Sequence, residues 1–201
     1  MSQFDDSSLV LRAGTLWKDA TAAAFLDSIG DGTLPPEAFS RWLVQDYHFV
    51  DALASFQAIT AAKTPHQFRK PLIAGLAAID AELDWFEAQA SVRGLNLNAP
   101  VHEVCRRYGD FLIQAAYSQP YPVLLAMLFG VEASYLAAWR RLPPKGPYVE
   151  FIDRWSNPHF ADYVASLRVL TEANVHESGQ RYFDGVLTHE KEFWKMTSGE
   201  G

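Results

Sequence analysis

Apolar residues recur along this chain at three- and four-residue intervals, and the interruptions are few. After Asp31-Gly32 and Pro35-Pro36, the run "EAFSRWLVQDYHFVDALASFQAITAAK" (37–63) contains neither glycine nor proline. It predicts a long helix, opened by proline in its first turn and by Glu37 at the positive end of its dipole. Thr64-Pro65 reads as the next cap and first helical position, and Pro71 predicts a kink or a restart. "LIAGLAAIDAELDWFEAQASVRG" (72–94) ends in Gly94, a helix-terminating glycine. Asn98-Ala99-Pro100 opens another helix, and "SQPYP" (118–122) separates it from the following one. "LPPKGP" (142–147) is the clearest loop; Asn157-Pro158 caps "HFADYVASLRVLTEAN"; "ESGQRYFDGVLTHEKEFWKM" (177–196) is the last helix. No alternating strand pattern, internal repeat or low-complexity tract interrupts this order. The expectation is a single all-α domain over residues 1–201, a bundle of about seven to eight helices.

One segment departs from the amphipathic pattern. "VLLAMLFGVEASYLAAW" (123–139) is apolar nearly throughout and carries one acid, Glu132, on the helical face shared with Tyr135 and Trp139. The same combination recurs on other helices. Asp46 lies between Trp42 and Phe49 on one face, Glu82 precedes Trp85 and Phe86, and Glu190 precedes Phe193 and Trp194. Acids are rarely buried without a partner, because desolvation costs several kcal/mol or shifts the pKa. Four such acids on four helices, each beside aromatics, suit a planar, nitrogen-rich heterocycle. Its N–H groups would donate to carboxylates while its faces pack on rings. The structural alternatives are surface acids at the edge of an apolar face, a helix-packing role for Asp46, and a buried pair between Glu132 and Arg140 or Arg141.

Composition narrows the field. Hydrophobic residues make up 49% of the 201 and charged residues 20%, enough for a real core, with six Trp, eight Tyr and thirteen Phe to spare for a pocket. A net charge of −7 and the lack of a basic run argue against nucleic acid and favour a neutral or cationic small molecule. One cysteine, Cys105, excludes an intramolecular disulfide and a cysteine-based metal site, and its charged surroundings do not suit a nucleophile. His48 falls on another face from Asp46, and His102, His159 and His189 show no ligand spacing. The N-terminus "MSQFDDSS" does not read as a signal peptide, and the longest purely apolar stretch, 123–131, is far short of the about 20 residues of a membrane span. A soluble, cytoplasmic protein without membrane contact is expected.

"IGDGTLPPEAFSRWLVQDYHFV" (29–50) resembles the start of the TenA, or thiaminase II, family, and the similarity continues through "AELDWFEAQA", "FGVEASYLAAW" and "YVEFIDRWSNPHFADYV" to "HEKEFW". Several spaced motifs in order cover nearly the whole chain. The resemblance implies a haem-oxygenase-like all-α fold, hydrolysis of aminopyrimidines in thiamin salvage, and a homo-oligomer, a dimer or tetramer. It also implies site residues. Asp46 matches the family's pyrimidine-binding aspartate and Glu190 its C-terminal ring-contacting glutamate. Phe49 and Trp155 stand where tyrosines are usual. Gly130 aligns with the catalytic cysteine of the best-known branch, so the chain is similar to the cysteine-less branch, with Glu132-Ala133-Ser134-Tyr135 nearby. These changes favour degradation products of thiamin over thiamin itself.

The expected reaction is hydrolytic loss of an amine or formyl-amine from a substituted 4-amino-2-methylpyrimidine, with no cofactor and no metal. Glu132 is the first choice for acid/base and Glu190 the second. Asp46 would hold the ring, Tyr135 orient a carboxylate, Glu82 meet the side arm, and Phe49, Trp155 and Trp194 supply walls. Two rivals stand beside it. One is a di-metal oxidase, which needs histidines spaced with its carboxylates; only Glu172 and His176 come near. The other is a pyrimidine-binding protein without turnover.

Overall fold

The structure is a computed structural model that describes Phe4 and residues 6–196. The N-terminal reading falls partly on Met1, Ser2, Gln3 and Asp5, which lie outside the described residues. Among the described residues there are ten α-helices, one 3-10 turn and no strand. In chain order the helices are α1 (Ser8–Ala13), α2 (Thr15–Thr21), α3 (Ala24–Gly30), α4 (Pro36–Lys63) and α5 (Arg69–Arg93). They continue with α6 (Glu103–Ser118), α7 (Tyr121–Arg140), α8 (Val149–Ser156), α9 (Pro158–Glu172) and α10 (Gly179–Lys195). The surplus over the expected number comes from α1–α3, whose six or seven residues are too short to show a period.

Local chemistry accounts for most boundaries. Pro36 occupies the first turn of α4 with Glu37 behind it, as the pattern predicts. Thr64-Pro65 does not start an α-helix; a 3-10 turn at His66–Phe68 intervenes, and Pro71 sits in the first turn of α5, where its missing N–H costs nothing. Gly94 closes α5 in the left-handed conformation (φ +65°), and Leu95 N–H donates to Ala90 O at 2.9 Å. The next helix begins later than Asn98 suggests. Asn96 Oδ1 is engaged by Asn98 N–H at 2.9 Å in a local turn, and His102 caps α6 by accepting Val104 N–H at 3.2 Å. Asn157 caps α9 through Phe160 N–H at 2.9 Å, as expected.

The apolar run becomes α7, the axis of the bundle, with 15 of its 20 residues buried. Length and composition would let it cross a membrane, but 83% of its most apolar window is covered by neighbouring helices. It packs on α10 along one side, on α9 and α8 along another, and on α2 and α4 elsewhere. Close approach to α10 depends on Gly130, where a Cβ would stand 3.1 Å from Phe183 and 3.2 Å from Val186. The α4 helix lies between α5 and α6, α5 reaches α9, and α9 returns to α7. Four helices, α4, α5, α9 and α7, thus form a closed cycle around an interior space.

Candidate functional site

That space is a cavity of about 440 Å³. The α4 helix borders it with Asp46, Phe49, Val50 and Leu53, one continuous face at i, i+3, i+4 and i+7. Alongside it, α5 offers mostly small side chains, Ala74, Gly75, Ala78 and Ala81, with Ile79 and Glu82. Small residues on one wall of an aromatic-rich bundle keep the helices from filling the gap. Val131, Glu132 and Tyr135 come from α7; Arg154 and Trp155 from α8; Asn157, His159, Phe160 and Tyr163 from the α8–α9 turn and α9.

Three of the four acids read from the sequence meet there. Asp46 is 1% exposed and accepts the Tyr135 hydroxyl at 2.8 Å. Burial pushes its carboxyl up to about 8, against the pull of the Tyr135 bond and with a smaller push from the Glu82 charge. Glu132 is buried too, and among the described residues its carboxyl has no hydrogen-bond or ion-pair partner. Burial, then the Glu82 charge, raises it to about 8 as well. Arg141 does not reach it: that guanidinium pairs with Asp27 at 2.7 Å, and Arg140 Nε donates to Ser156 O at 3.2 Å. Glu82 is held differently. Arg154 contacts its Oε2 at 2.6 Å through Nη2, Trp155 Nε1 donates to its Oε1 at 2.7 Å, and the guanidinium lies 4.1 Å from the centre of the Trp85 ring.

Glu190 stands behind the cavity rather than on its lining. It is 2% exposed and accepts the Tyr108 hydroxyl at 2.7 Å. Burial raises it to about 8, offset by the Tyr108 bond and reinforced by the charges of Asp46 and Glu132. The acid cluster is therefore shared across the wall, although the Glu190 carboxyl is not part of the lining. Trp194 is also set back. Its Nε1 donates to Ala20 O at 2.9 Å and its ring stacks on Tyr135 at 5.8 Å, so it supports the wall from behind. Phe49 and Trp155 do line the cavity.

The expectation that residue 130 marks the place of a missing thiol does not survive the geometry. A side chain on Gly130 would point at Phe183 and Val186 of α10; Val131 and Glu132 are the cavity residues of that turn. Helix phase decides this, and a one-residue shift turns a side chain by about 100°. Cys105 is no substitute, since burial pushes its thiol up to about 12 and its Sγ donates to Gln45 O at 3.3 Å.

Sequence reasoning missed Tyr163, Gln57, Arg154 and Tyr108. Gln57 follows Asp46 at i+11, so face counting from that acid could have found it, whereas Tyr163 lies on a helix that carries none of the chosen acids. Tyr108 was obscured by the charged residues around it. Among the described residues no group of three or more His, Cys, Asp or Glu side chains could hold a metal ion.

A model of the TENA/THI-4/PQQC family matches residues 12–200. The Glycine max protein named "Probable bifunctional TENA-E protein" is 28% identical over 203 residues, covering 92% of this chain and 89% of the relative. The thiamine biosynthesis multifunctional protein ThiED of Corynebacterium efficiens is 25% identical over 195 residues, covering 89% of this chain and 26% of that longer protein. The crystal structure of a TenA homologue from Pyrococcus furiosus superposes with a TM-score of 0.88 at 28% identity, covering 94% of this chain and 97% of the other. A match that runs from α1 past the end of α10 takes in every helix that borders the cavity, and the chain belongs to the TENA/THI-4/PQQC family.

Proposed function

We propose that this protein hydrolyses a C–N bond of an amino- or formylamino-substituted 4-amino-2-methylpyrimidine, as part of thiamin salvage. Family membership supports the role, and the names of two relatives point to TENA-E proteins and to thiamine biosynthesis. The observation that carries the reading is the Glu132 carboxyl: buried, without a partner among the described residues, and set on the cavity lining beside Asp46 and Tyr135.

Each group has a task in the proposal. The Asp46 carboxyl, steadied by Tyr135, hydrogen-bonds the amino group and ring nitrogen of the pyrimidine, while Phe49 and Trp155 pack on its faces. With its pKa near 8, Glu132 is mostly in the acid form at pH 7. It gives its proton to the departing nitrogen as the C–N bond breaks. Its carboxylate then takes a proton from the water that attacks the carbon, so the acid is restored and one water is consumed. Glu82, held in place by Arg154 and Trp155, borders the substrate's side arm. Glu190 acts from behind through the shared acid cluster.

Turnover of the formylaminopyrimidine by the wild type and by Glu132→Gln tests the assignment. Full activity in the variant removes Glu132 from the acid/base role; a folded wild type that neither cleaves nor binds aminopyrimidines removes the function.

A further inference from the structure

The cavity continues well beyond its acid end. On α4 the bordering face runs from Asp46 to Leu53, two turns and about 10 Å along the helix, and Gln57 follows one turn beyond it. On α5 the bordering face runs back from Glu82 to Gly75, seven residues and about 10 Å. Tyr163 of α9 stands at this far end. Glu132 lies between the two ends: it is one turn from Tyr135 on α7, and its charge reaches the Tyr163 hydroxyl.

The hydroxyl of Tyr163 has a defined hydrogen-bonding sense. Gln57 is fully buried, and its Nε2 donates to Leu72 O at 2.8 Å. A carbonyl only accepts, so the Gln57 amide cannot be turned over, and its Oε1 must face Tyr163. The Tyr163 hydroxyl donates its single proton there, at 3.2 Å. What remains for the cavity is the lone-pair side of the phenol oxygen, an acceptor. Gly75 makes the arrangement possible, because a Cβ at that position would stand 2.3 Å from Tyr163 Oη and 2.4 Å from Gln57 Nε2.

We propose that Tyr163, oriented by Gln57 and given room by Gly75, determines specificity on the leaving-group side of the cavity. It accepts a hydrogen bond from the N–H of the departing nitrogen. Substrates whose leaving nitrogen carries hydrogen, primary amines and secondary amides, are thereby preferred over those in which that nitrogen is fully substituted. The inference rests on the aminopyrimidine reading above and adds the residue that chooses among such substrates.

Calorimetric binding separates the two. The probes are the 5-formylaminomethyl derivative of 4-amino-2-methylpyrimidine and its isostere with CH₂ in place of the amide N–H, which keeps the shape and loses the donor. The wild type is expected to prefer the amide by about tenfold, the worth of one hydrogen bond. Tyr163→Phe brings the two affinities within about twofold of each other, and so does Gly75→Ala, which displaces the hydroxyl. A wild type without the preference overturns the inference without recourse to any variant. A preference kept in Tyr163→Phe overturns it as well, leaving the aminopyrimidine reading intact. Failure of both compounds to bind the wild type overturns the aminopyrimidine reading and this inference together.

Discussion

Glu82 and Glu132 face one cavity from diagonally opposed helices, and the protein treats them in opposite ways. At the α5–α8 wall a guanidinium and an indole N–H hold Glu82, and a second indole ring backs the guanidinium. At the α7 wall no cation among the described residues pairs with Glu132, and desolvation raises its pKa to about 8. Desolvation disfavours a bare charge and a neighbouring cation favours it, so the same side-chain type is ion-paired in one place and left to hold its proton in the other. The lesson is that a cluster of acids need not be a cluster of charges. Asp46, Glu132 and Glu190 all rise to about 8, and the guanidinium stands beside Glu82.

The largest effect should come from removing the proton of the α7 wall while keeping its shape. Glu132→Gln is expected to lower kcat by about 100-fold or more, with binding of the pyrimidine changed by less than about threefold. Steady-state kinetics beside calorimetry reads both quantities, and a fall in affinity that accounts for the whole loss would make Glu132 a binding group only. Next is the pH profile. Glu132 acts as an acid while protonated, so kcat should fall about tenfold per unit once pH passes about 8. Loss of that limb in a Glu190→Gln variant would move the titrating role to Glu190.

At the other wall, Arg154→Gln leaves Glu82 with the Trp155 bond alone. Both partners keep partial solvent contact, at 30% and 20% side-chain exposure, so the stability cost is about 1 kcal/mol, a fall in Tm of about 3 °C. Raised salt should shrink this difference, and a cost that ignores salt would show that the guanidinium works by packing on Trp85. An effect of similar size concerns Glu190. A carboxyl whose pKa is higher folded than unfolded binds more protons in the folded state. The resulting stability is fully present below the unfolded value near 4.5 and lost as pH rises toward 8. Glu190→Gln removes that loss, so its Tm should exceed the wild type's at pH 9 by about 3 °C and converge with it near pH 5. Equal curves at both pH values would show that Glu190 is not held as a neutral acid.

The long helices other than α7 were legible because each buries one stripe and exposes the other, and because Pro36, Gly94 and Asn157 carry their own stop and start chemistry. The three short N-terminal helices were not, since a six-residue element has no period to read. Asp46, Glu82 and Glu132, singled out by their anomaly as acids among aromatics, line one cavity. The same test could not rank depth. Glu190 and Trp194 satisfy it equally, yet among the described residues none of α10 lines the cavity: Trp194 backs Tyr135 and Phe193 backs Phe49, and a one-dimensional pattern says which face is buried without saying against what. Gly130 failed for the complementary reason, because its neighbour across the helix contact fixes its direction. The Gln57–Tyr163 pair joins residues 106 positions apart, and no local pattern announces such a bond.

The cover over α7 has a consequence for how the chain is made. The most apolar helix is synthesised well before α10, which packs along it and supplies Phe183, Val186 and Phe193 to the core. Until the last helix emerges, a flank of α7 lacks its lid, and such exposed apolar surface invites association between nascent chains. Expression should therefore tolerate an N-terminal fusion far better than a C-terminal truncation. A chain stopped before Gly179 is expected in the insoluble fraction, and co-production of a chaperone should raise the yield of that truncated chain more than that of the full-length protein.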